Sequence, residues 1–170
     1  MDFEKICNER FSVRGFSDRP IEDEKIKKML ETVRLAPTAM NGQPYEIFVV
    51  KSKDGLGKIR KASQCIFGAD VVFIVCKDIN KTWKQRISGE DETLQDIGII
   101  TATLMYSAWE QGLGSTYVCA FDPNILKQEF GLPENLVAES LLPIGYAANG
   151  ILPSPRHSDR RKIEEFVHEL

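Results

Sequence analysis

Glu9-Arg10-Phe11-Ser12-Val13-Arg14-Gly15-Phe16, read ERFSVRGF, sets two arginines and a serine at strict two-residue spacing. In an extended chain Arg10, Ser12 and Arg14 fall on one side, with Phe11 and Val13 on the other. Arginine forks match phosphate oxygens in bidentate geometry, and a serine hydroxyl adds a neutral donor. Solvated arginines, or ion pairs to Glu9 and Asp18, fit the same pattern, and the octapeptide alone leaves these readings open.

Around this stretch the chain is ordinary. Its 170 residues, 42% hydrophobic and 28% charged, suit a single domain over residues 1–170 with one sizeable core. A net charge of −3, with both signs mixed along the chain, gives no general attraction to nucleic acid or anionic membrane. Any anion site must therefore be local. No apolar run approaches the ~20 residues of a membrane span, and the charged amino end, MDFEKICNER, has no secretory apolar segment. Cys7, Cys65, Cys76 and Cys119 form no CxxC pair. They read as reduced structural thiols of a cytoplasmic protein, with Cys76 and Cys119 as small core residues inside apolar runs.

The pattern outward from the octapeptide predicts helices over residues 2–9, 22–35 and 54–63, with Ile26, Met29, Leu30 and Val33 as the apolar face of the second. APTAMNGQP (36–44) is a loop, YEIFVV (45–50) a strand and VVFIVC (71–76) a buried strand. Residues 92–111 make the longest helix. Leu94, Ile97, Thr101, Leu104, Met105 and Ala108 form its stripe, and it is apolar around so much of its circumference that it belongs at the centre of the fold. A strand at 115–121, a helix at 122–131 capped by Asp122, Pro123 and Gly131, a strand at 140–146 and an amphipathic helix at 159–169 complete the chain. Interleaved helices and four strands without a Gly-rich strand-to-helix turn point to an α+β sandwich.

No GxGxxG, P-loop or HExxH is present, and His157 and His168 read as surface residues, so no metal site is expected. With no base for a serine or cysteine nucleophile, no catalytic side chain stands out, and a bound cofactor is the economical source of chemistry. Two further constellations remain. The loop Pro37-Thr38-Ala39-Met40-Asn41-Gly42-Gln43-Pro44 offers amide donors and acceptors suited to a ring edge, or is simply a turn. Arg156, Arg160, Arg161 and Lys162 open the final helix at the wrong end for its dipole, as function can demand, or face Glu164 and Glu165 on a solvated surface.

Taken together these pieces resemble the FMN-dependent nitroreductase family. The likeness rests on Arg10-x-Ser12-x-Arg14-x-Phe16, on Ala36-Pro37-Thr38 with Asn41-Gly42-Gln43-Pro44-Tyr45, on Gly112-Leu113-Gly114 after a long helix, and on Pro143-Ile144-Gly145-Tyr146 before a basic stretch. The resemblance implies a small, compact member with a mainly antiparallel central sheet of four to five strands flanked by helices, in an interlocked homodimer. It implies that Arg10, Ser12 and Arg161, with Arg160 beside it, grip the FMN phosphate and ribityl chain, while Phe11 adds backbone contacts. Arg14 would sit at the pyrimidine side, where a cation stabilises the anionic reduced flavin. Pro37, Thr38, Ala39, Asn41 and Gln43 would reach the ring from the second subunit. An N–H of Cys119 or Ala120 would lie near N5.

The implied activity is an FMN-dependent oxidoreductase, with hydride passing from NADH or NADPH to flavin N5 and on to a small acceptor such as a nitroaromatic or quinone, in ping-pong order. Phe11, where relatives often carry a basic residue, and Tyr45, where they carry Trp, depart from the pattern. Trp83, within residues 77–93, is a lid candidate or a half-buried surface aromatic, and Gln64 is a weak candidate for flavin contact. The alternatives are a flavin-binding redox sensor or FMN carrier without turnover, a flavin enzyme of another reaction, and a small interaction domain.

Overall fold

The computed structural model describes residues 2–170. In chain order its elements are α1 (Phe3–Glu9), α2 (Asp23–Arg34), β1 (Tyr45–Val50), α3 (Lys53–Ala62), β2 (Val71–Asp78), α4 (Thr93–Glu110), β3 (Gly114–Ser115), α5 (Pro123–Phe130) and β4 (Leu136–Gly145). The four strands form an antiparallel sheet in the order β1-β2-β4-β3. β2 pairs with β1 from Tyr45↔Lys77 to Val50↔Val72, and with β4 from Val71↔Ile144 to Asp78↔Leu136, with a bulge at Val75/Cys76.

The continuous apolar run of β2 follows from its central place, because both of its faces are covered. Val72, Ile74 and Cys76 enter one core with Leu56, Ile59 and Leu126 of α3 and α5. Val71, Phe73 and Val75 enter the other with Met29, Val33, Ile100 and Leu104 of α2 and α4. Alternate side chains thus serve alternate layers, and the thiol of Cys76 is pushed up to about 12 by its burial.

Five expectations need correction. The strand at 115–121 is cut to Gly114–Ser115, and beyond it a single bridge joins Val118 to Leu141. The chain is drawn off the sheet because Ser63 Oγ donates to the Ala120 carbonyl at 2.7 Å and the Asp122 amide donates to Ala62. β4 begins at Leu136 rather than 140, since Leu136 and Ala138 alternate inward past Glu139. The helix at 159–169 is absent apart from a 3-10 turn at Ile163–Glu165. Every residue of this arm is exposed, and so short an amphipathic segment needs a surface to bury its face. Cys119 is exposed, and Leu94 lies outside the core at 55% exposure.

Two glycines bring the N-terminal stretch against the sheet. A Cβ on Gly114 would stand 2.5 Å from Val13 Cγ2, and one on Gly145 would stand 2.9 Å from the Phe16 ring. Val13, fully buried, and Phe16 therefore dock where no other residue would let them.

Candidate functional site

Docking Val13 turns the octapeptide's polar side outward. The Val13 amide donates to the Ser115 carbonyl at 3.0 Å, and Thr116 Oγ1 donates to the Val13 carbonyl. Phe11 meets the Trp109 ring edge-on at 5.5 Å, near the C-terminal end of α4. What faces away is a groove of about 460 Å³ lined by Arg10, Phe11, Ser12, Arg14, Ser154, Arg156, His157 and Arg160. The four cysteines are free, and among the described residues no group of His, Cys, Asp and Glu is placed to hold a metal ion.

The groove is strongly unbalanced in charge. Among the described residues none of its four arginines has a carboxylate within ion-pair distance: Glu9 pairs instead with Lys5 at 3.7 Å, and Asp18 pairs with nothing. Arg160 donates to the carbonyls of Arg156 and Asp159 at 3.2 and 2.8 Å, which folds its side chain over the groove. Arg10 Nε is buried with no hydrogen-bond partner. A buried guanidinium N–H without an acceptor costs about 1–3 kcal/mol, and an anion in the groove would remove that cost.

Arg161 goes elsewhere, lying over the Phe166 ring at 5.2 Å. On sequence, Ser154 does not stand out, Arg156 figures only as part of its basic cluster and His157 reads as a surface residue, whereas His157 is half-buried and lines the groove. His157 Nε2–H donates to the Asn8 carbonyl at 3.1 Å and its ring lies 6.3 Å from that of Phe11. Its neighbours in sequence, Arg156 and Arg160, were the available signal.

The second predicted cluster lies far from the first. The chain leaves α2 at Leu35, and residues 39–41 make one 3-10 turn in which Met40 and Asn41 take φ of 53° and 54°, with Gln43 at 47°. Left-handed backbone costs an L-residue other than Asn or Asp about 1–2 kcal/mol. The Gln43 amide donates to Thr38 Oγ1 at 3.1 Å, and the Ala39 amide donates to Asp96 Oδ1 at 2.9 Å. Asn41 and Gln43 stay exposed and hold each other at 3.3–3.4 Å; Pro37 is exposed too. Asp96 lies in the first turn of α4 and Trp109 in the last, about 20 Å apart at 1.5 Å per residue. A single chain therefore presents the loop and the groove at opposite ends of one helix.

Cys119 and Ala120 are exposed, and Cys119 shares a 440 Å³ groove with Leu94 and Ile97 of the first turns of α4, and with Tyr117, Pro123 and Glu139. Trp83 is half-buried in an excursion after β2 that a bridge at Lys84–Asp91 closes. Gln64 donates to the Arg60 carbonyl and is exposed.

The model of the nitroreductase family matches residues 8–68 and 58–146. A protein of Archaeoglobus fulgidus that carries the name NADH dehydrogenase/NAD(P)H nitroreductase is 32% identical over 149 residues, which cover 84% of this chain and 83% of that one. A protein of Bacillus subtilis named FMN reductase (NAD(P)H) is 27% identical over 170 residues, 89% of this chain and 68% of its own. The crystal structure of a nitroreductase family protein from Clostridium difficile 630 superposes with a TM-score of 0.92 at 37% identity, covering 99% of this chain and 98% of that one. The matched residues include the octapeptide, the loop and the sheet that carries them both: this chain belongs to the nitroreductase family.

Proposed function

We propose that this chain is an FMN-dependent oxidoreductase, cytoplasmic and folded as one domain over residues 1–170, that uses NADH or NADPH to reduce a small acceptor such as a nitroaromatic or quinone. The observation that carries the reading is the groove of four arginines without carboxylate partners, with the buried Arg10 Nε lacking an acceptor. An FMN phosphate of about −1.5 to −2 charge suits it. When bound, FMN supplies a ring nitrogen that takes hydride from reduced nicotinamide and returns the electron pair to the acceptor.

Every other task falls to the chain. Arg10, Ser12 and Arg160 hold the phosphate, with Arg160 in the place that likeness assigned to Arg161. Phe11, packed on Trp109, keeps the backbone of this stretch in place. Arg14, exposed at the groove's edge, supplies positive charge where the reduced ring gains negative charge. Cys119 and Ala120 offer amide N–H groups along the ring. No side chain is needed as acid or base, since water can deliver protons.

Pro37, Thr38, Ala39, Asn41 and Gln43 meet the ring only from a second copy. Their separation from the groove in one chain supports a homodimer whose α4 helices run antiparallel. Ile99 on the outer side of α4 is 40% exposed, and Ile163, Phe166 and Val167 of the carboxyl-terminal arm are at least half exposed. These apolar groups, and the edge of β1, are what an interlocked dimer would cover.

An absorption spectrum tests the reading. Purified protein should show flavin bands near ~450 nm, bleached anaerobically by NADH or NADPH and restored by a quinone. Colourless protein that takes up no added FMN would refute it. Yellow protein that neither nucleotide bleaches would instead indicate an FMN carrier or sensor.

A further inference from the structure

Two unfavourable features meet where the loop touches α4. Met40 and Gln43 hold left-handed backbone that neither side chain favours, and among the described residues the only side chain outside the loop that bonds to it is Asp96, through the Ala39 amide. Asp96 is 4% exposed, and its second oxygen, Oδ2, is buried without a hydrogen-bond partner. A half-satisfied buried carboxylate is a poor way to stabilise a helix. Strained backbone beside a binding surface persists only when its surroundings over-determine it. Both features have one explanation if the carboxylate exists to fix the loop.

We infer that Asp96 is a positioning residue: it clamps the Ala39 amide and so holds Asn41 and Gln43 in the left-handed arrangement that presents their amides to the flavin of the second subunit. Asp96 itself touches neither cofactor nor substrate. Without the clamp the loop relaxes toward ordinary backbone, the amides turn away, and the flavin loses the contacts supplied by the second subunit. The inference rests on the flavin reading above and makes the distal loop a determinant of affinity and potential.

The test compares Asp96→Ala, Asp96→Asn and the wild-type protein, each stripped of flavin and titrated with FMN. Asp96→Asn keeps an oxygen for the Ala39 amide; Asp96→Ala does not. Loss of the clamp should raise the Kd for FMN about tenfold, shift the midpoint potential of the bound flavin and speed hydrogen exchange of residues 37–44. Asparagine should restore the Kd and the exchange rate to within about threefold of wild type and return the potential to its wild-type value. Asp96→Glu, which keeps the charge but displaces the oxygen by a methylene, should behave like alanine, and it carries the test if the alanine variant does not fold. Alanine and glutamate variants that melt lower yet bind FMN with wild-type affinity and potential would overturn the clamp while leaving the flavin reading intact. A wild-type chain that binds no FMN would overturn both.

Discussion

The two ends of α4 carry opposite kinds of cost. At its C-terminal end the backbone is relaxed and the cost is electrostatic: four arginines gather around one groove with no carboxylate among them. At its N-terminal end the loop's own side chains are neutral and its cost is conformational: three residues of one short loop take positive φ, beside the one buried carboxylate oxygen of Asp96 that lacks a partner. Neither end is compensated within the chain, yet each is built on well-packed elements. Val13 and Phe16 are seated by Gly114 and Gly145, and the loop is tied to a helix that packs on the sheet. Costs of this kind are expected where function overrides stability, and their separation along one helix supports the proposal that each end is half of a site.

The charged end should respond most strongly. Replacing Arg10 and Arg14 with alanine removes two charge-assisted contacts worth about 1.5–3 kcal/mol each, so FMN affinity should fall by at least about a hundredfold in equilibrium titration. A correctly folded double variant that binds as wild type would break the electrostatic half of the comparison. The division between chains can be tested by mixing. Arg10→Ala protomers and protomers with Asn41→Ala and Gln43→Ala should each bind FMN poorly alone. Refolded together, they should recover one sound site per mixed dimer, because both lesions then fall in the other site. Absence of any recovery would place both halves in one protomer.

The seating of the octapeptide is a smaller matter. Gly114→Ala forces a Cβ against Val13 and should cost about 1–3 kcal/mol by chemical denaturation. FMN binding should weaken with it, because Arg10 and Arg14 move with Val13. At the strained end the sign reverses. Met40→Gly relieves a left-handed residue and should raise Tm by roughly 2–4 °C; a fall in Tm would argue that φ there is not strained.

The smallest effect lies outside both ends and serves as a control. Tyr146 donates to Glu22 Oε2 at 2.6 Å, and this bond, with help from Arg19 and Lys25, lowers the Glu22 carboxyl from 4.5 to about 2. A carboxyl lowered in the folded state contributes stability above its unfolded pKa and loses it as the pH falls toward the folded one. Tyr146→Phe should therefore lower stability at pH 6 and have progressively less effect as acid unfolding is followed from about pH 4.5 toward 2. A difference that does not diminish over that range would rule out the Glu22 linkage.

Much of this was legible in one dimension because it is local. The unbroken apolar run VVFIVC gives a strand buried on both sides, Asp122-Pro123 with Gly131 caps α5 at both ends, and the two-residue spacing of Arg10, Ser12 and Arg14 puts them on one side of an extended chain. The helix expected at 159–169 failed because amphipathic spacing states only what a segment could bury, and the arm has no surface of its own chain to bury it against. The strand expected at 115–121 failed because Ser63 and Ala62, more than fifty residues away, capture the backbone at Ala120 and Asp122.

Residue order alone therefore determined which side chains share a face, since backbone periodicity is a property of neighbours. Only tertiary structure could decide which faces meet. It brought Ser154, His157 and Arg160 to Arg10, left Arg161 on Phe166, and set the loop some twenty ångströms from the groove (about 20 Å by helix rise). Contacts between distant residues are chosen by the packing of whole layers, and no spacing within a segment records that choice.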